Sequence, residues 1–316
     1  MKVSVKVPAT SANIGPGFDC LGLALPIYNT ITIEETVLPG TGIEINMLAE
    51  ESIDSMNFDN IPKDNNNLVY KAVEMLYNSI GQQPSELKIN IESQIPITRG
   101  LGSSAAVVVG GLMAANKLLG FPADETALLS IATEVEGHPD NVAPAILGGF
   151  VLSSQESDGS VNCKKLEWPE EWDITVCIPD FELSTSIARS VLPENVPMQD
   201  AIFNAKHLAM LIAAVQTKDV KLMKMALKDK LHQPYREKLV PGMHEIMEAF
   251  KHEDGVIGCV LSGAGPTMLI ISYKYDLDKI KSIVREIWES QSIKTDIRTL
   301  KIEPQGAQFL ELLMCY

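Results

Sequence analysis

Apolar positions recur along the chain with two different periods, and the changes between them mark out short strands and longer helices. Val3, Val5 and Val7 alternate with polar residues, and similar alternation returns at 31–34, 43–45 and 87–91. Each segment predicts a half-buried strand. The polar stretch 50–67 contains a run of one aspartate and three asparagines, which reads as a loop. Leu68, Val69, Ala72, Val73, Leu76, Tyr77 and Ile80 then follow the spacing of one helix face, and Gly81 suits the position just past its end. Ser103 or Ser104 is placed to cap a second helix to Leu119, stopped by Gly120 and Pro122. A third helix is expected over 124–136 and a strand over 149–153. Downstream the pattern predicts a strand at 174–178 and helices near 201–216, 220–231 and 242–251. Paired strands follow at 256–261 and 268–272, then a helix at 277–291 and a last strand at 293–302. Strands and helices mix without strict alternation, so the expected class is α+β. The polar, tryptophan-bearing segment 155–172 marks a candidate boundary between an N-terminal domain (1–160) and a C-terminal domain (161–316).

Composition narrows the functions open to such a fold. A hydrophobic fraction of 46% with 21% charged residues is that of a globular protein with a sizeable core. The formal charge of −15 argues against nucleic acid or an anionic membrane as partner. A polyanion can still be held, provided backbone amides, a few cations and a metal ion are concentrated locally. Cys20, Cys163, Cys177, Cys259 and Cys315 are scattered, with no metal-site spacing, and read as free thiols in a reducing compartment. The chain enters its first strand pattern without an apolar leader, and no apolar run reaches membrane-spanning length. A cytoplasmic protein is the expectation.

The strongest chemical signal is the segment Pro96, Ile97, Thr98, Arg99, Gly100, Leu101, Gly102, Ser103, Ser104, Ala105, Ala106. Its glycines let backbone N–H groups approach an anion, and the helix that opens at the serines adds unpaired donors and a positive dipole end. The serine hydroxyls can meet phosphate oxygens or a metal. A lone Gly-x-Gly is more often a plain capped turn. A dinucleotide fold fails on context, since another helix follows rather than a strand ending in an acid. A Walker-type loop fails for want of a lysine after the glycines.

The loop has company. PATSANIGPGFDCLG (8–22), the glycine loop, EGHPDNVAP (136–144) and LSGAGPT (261–267) stand in an order and spacing that resemble the GHMP kinase superfamily. The first and third are worded like its homoserine kinase branch. FELSTSIAR (181–189) and HQPYREKLVPG (232–242) resemble that branch's substrate segments. The resemblance covers nearly the whole chain, with 50–67 and 155–172 least matched. It implies an N-terminal half like the second domain of ribosomal protein S5 and a ferredoxin-like C-terminal half, with the site in the cleft between them. It further implies ATP and magnesium as cofactors, and transfer of the γ-phosphoryl group to the L-homoserine hydroxyl on the way to threonine. Many relatives are dimers, which makes a homodimer an expectation. Two alternatives are another GHMP kinase, for mevalonate or a sugar, and an inactive nucleotide-binding regulator.

Roles follow from the resemblance residue by residue. Glu134 resembles the magnesium carboxylate, with Ser103 or Ser104 supplying a hydroxyl; Glu136 competes with Glu134 because the helix phase is open. Asp140 matches the position of a proposed base in mevalonate kinases, and both that role and a turn role stand open. Asn141 is expected to hold the acceptor hydroxyl in line. His138 either bonds the substrate or stiffens its turn. A zwitterion requires an acid for its ammonium, expected from Asp19 and Asn13, and cations for its carboxylate, expected from Arg189 and Arg236. Thr185 is expected near the γ-phosphate and Asn67 at the adenine.

Overall fold

The computed structural model describes residues 1–36, 43–49, 58–273 and 276–311. Residues 50–57 of the polar stretch and Cys315 therefore lie outside the described residues. The first half contains β1 (Lys2–Ala12), β2 (Leu21–Glu35), β3 (Ile43–Ala49), α1 (Leu68–Ser79), β4 (Leu87–Ser93), α2 (Ser103–Leu118), α3 (Glu125–Glu136), α4 (Pro139–Leu147), β5 (Phe150–Gln155) and β6 (Val161–Leu166). The second contains β7 (Asp173–Pro179), α5 (Thr185–Ser190), α6 (Met198–Thr217), α7 (Val220–Ala226), α8 (Gln233–Arg236), α9 (Met243–Phe250), β8 (Val256–Leu261), β9 (Met268–Ser272), α10 (Leu277–Glu289), β10 (Thr295–Leu300) and β11 (Gln308–Leu310).

The alternating N-terminal pattern becomes a long antiparallel pair, β1 with β2, broken by a register shift at Pro8 and Ala9. Proline cannot donate to a ladder, so a bulge is where a strand tolerates it. β2 is long enough to serve two neighbours: its start pairs with β5 and its end with β4. β3 lies parallel to β4, and β11 closes the other edge beside β1. Helices α1 to α4 cover the face where Val5, Val7, Ile31 and Ile33 are fully buried. The second sheet has the order β10-β7-β9-β8 and is antiparallel throughout. Numbered from β7, that order is 4-1-3-2, the ferredoxin-like arrangement.

The expected boundary is displaced. Segment 155–172 is not a linker: β6 forms a hairpin with β5, and Trp168 and Trp172 are buried in the core with Phe150. β6 and β11, assigned by sequence to the second half, both belong to the first sheet. Two short helices, α4 and α5, were not marked by periodicity because neither spans enough turns to show one.

Candidate active site

The two halves meet along an open cleft with a cavity of about 340 Å³. Its floor is the glycine loop. Gly102 caps α2 in a left-handed conformation (φ 67°), and Ser103 and Ser104 begin the helix at the cavity wall. The first amides of a helix have no partner within it, so this end supplies donors and the positive end of the dipole. A Cβ on Gly102 would lie 1.9 Å from Thr10 Oγ1, and one on Gly100 would lie 2.3 Å from the carbonyl oxygen of Ser262. These glycines are required by close packing as well as by ligand access. Ser262, in the second glycine loop, donates to the Gly100 carbonyl at 2.7 Å, and Gly263 N–H donates to the Ala12 carbonyl at 3.1 Å. The two glycine loops and the end of β1 thus form one assembly.

Within the loop the expected positions divide. Residues Ile97 to Ser104 line the cavity, whereas Pro96, Ala105 and Ala106 are buried behind it. Arg99 lines the cavity with its guanidinium bonded to backbone carbonyls. Its Nε donates to the Pro179 carbonyl at 3.1 Å and its Nη2 to the Asp180 carbonyl at 3.2 Å. It is a bracket between the halves. Asn67 caps α1, accepting from Val69 N–H at 3.0 Å and donating to the Pro62 carbonyl at 2.7 Å. It lines the cavity wall with one of its two N–H donors spent on Pro62.

The helix phase left open by sequence is resolved by α3. Glu134 is exposed and outside the cavity, while Glu136 lines it and accepts from Ser104 Oγ at 2.7 Å. Of the two candidates only Glu136, two residues and about 200° further round the helix, reaches the cavity. Burial raises the Glu136 pKa, against the lowering effect of Ser104 and His138. A carboxylate desolvated without a cation is suited to take one up. Magnesium uses few protein ligands alongside phosphate oxygens and waters, so Glu136 with a serine hydroxyl fits it.

α4 starts at Pro139 and presents Asp140 and Asn141 from its first turn. Asp140 is buried; its Oδ1 lies 2.7 Å from His138 Nδ1 and accepts from Asn141 Nδ2 at 3.3 Å. Burial alone would lower the His138 pKa, but Asp140 and Glu136 outweigh it and raise the value. Asn141 Oδ1 accepts from Thr10 Oγ1 at 2.8 Å, which fixes the amide. Thr10 lies in the first motif, but no charge or spacing distinguished it there.

Opposite these groups stands a charged wall. Asp19, in a left-handed conformation (φ 56°), receives Arg189 as a fork: 2.6 Å from Nη2 and 3.1 Å from Nη1. Asn13 donates to the Gly263 carbonyl at 2.9 Å and accepts from Asp19 N–H at 3.1 Å. It positions Asp19 and lines the cavity beside it. Arg236 is 2% exposed. Its Nε donates to the Ala188 carbonyl and its Nη1 to the Gly263 carbonyl, at 3.1 and 3.0 Å. Burial, with Arg189 nearby, pushes its pKa down to about 10. Phe18, unmarked by sequence, lies between the arginine heads, 5.5 Å from Arg189 and 5.2 Å from Arg236. Thr185 lines the same cleft at the start of α5.

A glycine-built anion cradle, one cation-seeking carboxylate and a polar acceptor wall between an α+β half and a ferredoxin-like half define a small-molecule kinase. The GHMP kinases N terminal domain matches residues 67–149 and the GHMP kinases C terminal domain matches 211–290. The chain belongs to the GHMP kinases. It is 42% identical to a homoserine kinase of Microchaete diplosiphon, over 98% of this chain and 97% of that one. It is 44% identical to one of Clostridium botulinum, over 96% and 97%. The crystal structure of homoserine kinase from Cytophaga hutchinsonii superposes with a TM-score of 0.86 at 28% identity, covering 98% of this chain and 97% of that one. Within the GHMP kinases, the chain belongs with the homoserine kinases.

Proposed function

We propose that the protein transfers the γ-phosphoryl group of ATP to the hydroxyl of L-homoserine, giving O-phospho-L-homoserine for threonine biosynthesis. The observation that carries the substrate reading is Arg236. It is a buried guanidinium lining the cleft, with no carboxylate within ion-pair distance among the described residues. Its Nη2 has no hydrogen-bond partner among them. Such a cation favours an anionic ligand, and a planar fork favours a carboxylate. Arg189 and Asp19 beside it form an ion pair that a zwitterion can enter, with its carboxylate toward the arginines and its ammonium toward Asp19. A mevalonate or a sugar offers no ammonium for Asp19.

Phosphoryl transfer requires in-line positioning and charge stabilisation more than covalent help. The amides of the glycine loop and of the α2 start cradle the phosphates. Glu136 and Ser104 would hold magnesium, which neutralises phosphate charge when bound. The Asn141 amide, fixed by Thr10, orients the acceptor hydroxyl. Asp140 is occupied by His138 and Asn141, which supports an orienting role for it over that of a free base. The Thr185 hydroxyl faces the same space from the other half. The free thiols at Cys20, Cys163, Cys177 and Cys259 suit a cytoplasmic setting, and no helix among the described residues is long and apolar enough to cross a membrane. A homodimer is the expected assembly, to be checked by light scattering.

The function is tested by ADP release with homoserine, mevalonate and galactose in parallel. Turnover with homoserine is expected to exceed the other two by orders of magnitude. Preference for mevalonate or galactose overturns the substrate reading, and no turnover with any acceptor favours a regulator.

A further inference from the structure

His232 lies outside the cleft wall and is fully buried. Its ring stacks on Phe18 at 5.1 Å and an interplanar angle of 17°. Nε2 lies 2.8 Å from the Gly15 carbonyl oxygen, and Nδ1 lies 3.3 Å from Arg236 Nη1. Arginine carries donors only, so the nitrogen facing it must be the acceptor. Nδ1 is therefore unprotonated, and Nε2 carries the hydrogen and donates to Gly15. The ring is neutral in this tautomer, with Nε2 also 3.5 Å from Asp229 Oδ2. Its pKa is lowered by burial and by Arg236, against the pull of Asp229 and Asp19.

The backbone around the ring is equally determined. Asp229 is fully buried, and its carboxylate accepts from the N–H groups of Leu231, His232 and Gln233 at 2.9, 3.0 and 2.7 Å. Asn204 of α6 donates to the same carboxylate at 2.8 Å. α8 is a short helix that does not hold its own start, and Asp229 supplies what its length does not. His232 precedes it and Arg236 ends it, so both side chains descend on one side of a single turn.

We infer that His232 is a positioning residue for substrate specificity: its neutral ring ties Arg236 to the Gly15 carbonyl and aims Nη2 at the carboxylate of the bound amino acid. The observations behind it are independent of one another. His232 Nδ1 is the single side-chain acceptor bonded to Arg236 among the described residues, the other two bonds going to backbone carbonyls. Gly15 and Phe18, which anchor the ring, belong to the same first-motif loop that carries Asp19. The ring therefore sets the distance between the site for the carboxylate and the site for the ammonium. Substrate length is read through that spacing.

The inference rests on the homoserine reading, and the experiment separates the two. Homoserine steady-state kinetics are measured for the parent, His232→Gln, His232→Asn, Arg236→Ala and His232→Gln with Arg236→Ala. ATP affinity by calorimetry and the melting temperature are measured on each. The asparagine oxygen sits on the atom next to Cβ, as Nδ1 does, and keeps the acceptor for Arg236. The glutamine amide reaches further and keeps only the donor for Gly15. His232→Gln is expected to raise the homoserine KM on the order of tenfold, the loss typical of one charge-assisted hydrogen bond. kcat is expected to change less, and ATP affinity to stay within twofold. His232→Asn is expected to recover most of the loss. In the Arg236→Ala background, His232→Gln is expected to add nothing, because residues acting through one another are not additive.

Equal losses in both single variants, or a full additional loss in the Arg236→Ala background, would overturn the inference and leave His232 as packing alone. If His232→Gln does not fold, His232→Asn and its double variant with Arg236→Ala carry the same comparison. A parent enzyme inactive on homoserine fails the underlying reading instead.

Discussion

At Glu136, the phase of one helix selects the carboxylate that faces the cavity. Glu134 and Glu136 are equivalent by composition, and only the second reaches Ser104. Glu136→Gln is expected to raise the magnesium requirement and depress kcat by roughly 10²-fold or more, as loss of a metal carboxylate does. Glu134→Gln is expected to behave as the parent; magnesium titrations at saturating ATP distinguish them. The same residue predicts a pH dependence. Its folded pKa lies above the ordinary 4.5 because it is buried. The native state therefore binds more protons than the unfolded state between those two values, and stability falls as pH rises through that window. Thermal melts of the nucleotide-free protein from pH 4 upward, compared with Glu136→Gln, check the sign: the variant should lose that segment of the slope. On the opposite wall, Arg189→Ala removes the fork that holds Asp19 and, on the proposed function, a cation for the substrate carboxylate. It is expected to lower homoserine kcat/KM about ten- to hundredfold, from about 1.5–3 kcal/mol for a hydrogen bond to a charged group. Lysine should rescue only part of this, since it lacks the planar fork, and ATP binding should be unchanged. Unaltered homoserine kinetics in the alanine variant would remove Arg189 from the site.

At the level of elements, the site is made by how strands end and helices begin. β1 ends at Ala12, whose carbonyl receives Gly263, and Thr10 in its last turns supports both the Gly102 packing and the Asn141 amide. Gly102→Ala places a methyl 1.9 Å from Thr10 Oγ1 and forces a side chain into left-handed backbone. It is expected to weaken ATP binding at least tenfold and to lower the melting temperature together, since left-handed backbone strain of about 1 kcal/mol or more adds to the clash. Calorimetric titration with a non-hydrolysable ATP analogue and a thermal melt measure the two effects. Wild-type affinity in this variant would take the loop out of the nucleotide site. α2 was legible in the sequence from its glycine-serine start and long apolar run, although Gly102 caps it in place of the serine expected, with no side-chain bond. α4 was not, because proline at its start and again at Pro144 hides nine helical residues from propensity rules.

At the scale of the whole molecule, the cleft lies between two sheets that share one apolar core and are tied by polar contacts beside the phosphate loop. Arg99 is one of them, reaching the carbonyls of Pro179 and Asp180 from the phosphate loop, while Leu183 N–H donates to the Thr98 carbonyl. Arg99→Ala leaves buried carbonyls unpaired and is expected to cost about 1–3 kcal/mol of stability. It should also reduce ATP affinity without altering the homoserine KM, since the arginine holds the loop and touches no substrate carboxylate. Denaturant unfolding and separate KM measurements check both parts. An unchanged stability would mean that the bracket is incidental.

The sequence by itself determined the class of fold, the order of its main elements and the segments that build the site. It could do so because hydrophobic period, helix caps and glycine-rich turns are local properties, readable within a few residues. The glycine loop was legible for the same reason, whereas Asp19, Asn141 and the two arginines were legible through the resemblance of their motifs to the GHMP kinases. What only the tertiary structure decided were partnerships across the chain. Glu136 rather than Glu134 meets Ser104, Arg99 turns to the second half, and Asn13 and Asn67 are engaged by their own backbone surroundings. β6 and β11 join the first sheet although they lie beyond the segment that reads as a linker. Thr10 finds Asn141 across 131 positions, and His232 finds Gly15 across 217. A side chain's type fixes what it can bond to, but its partner is set by which element packs beside it, and packing is a property of the folded whole.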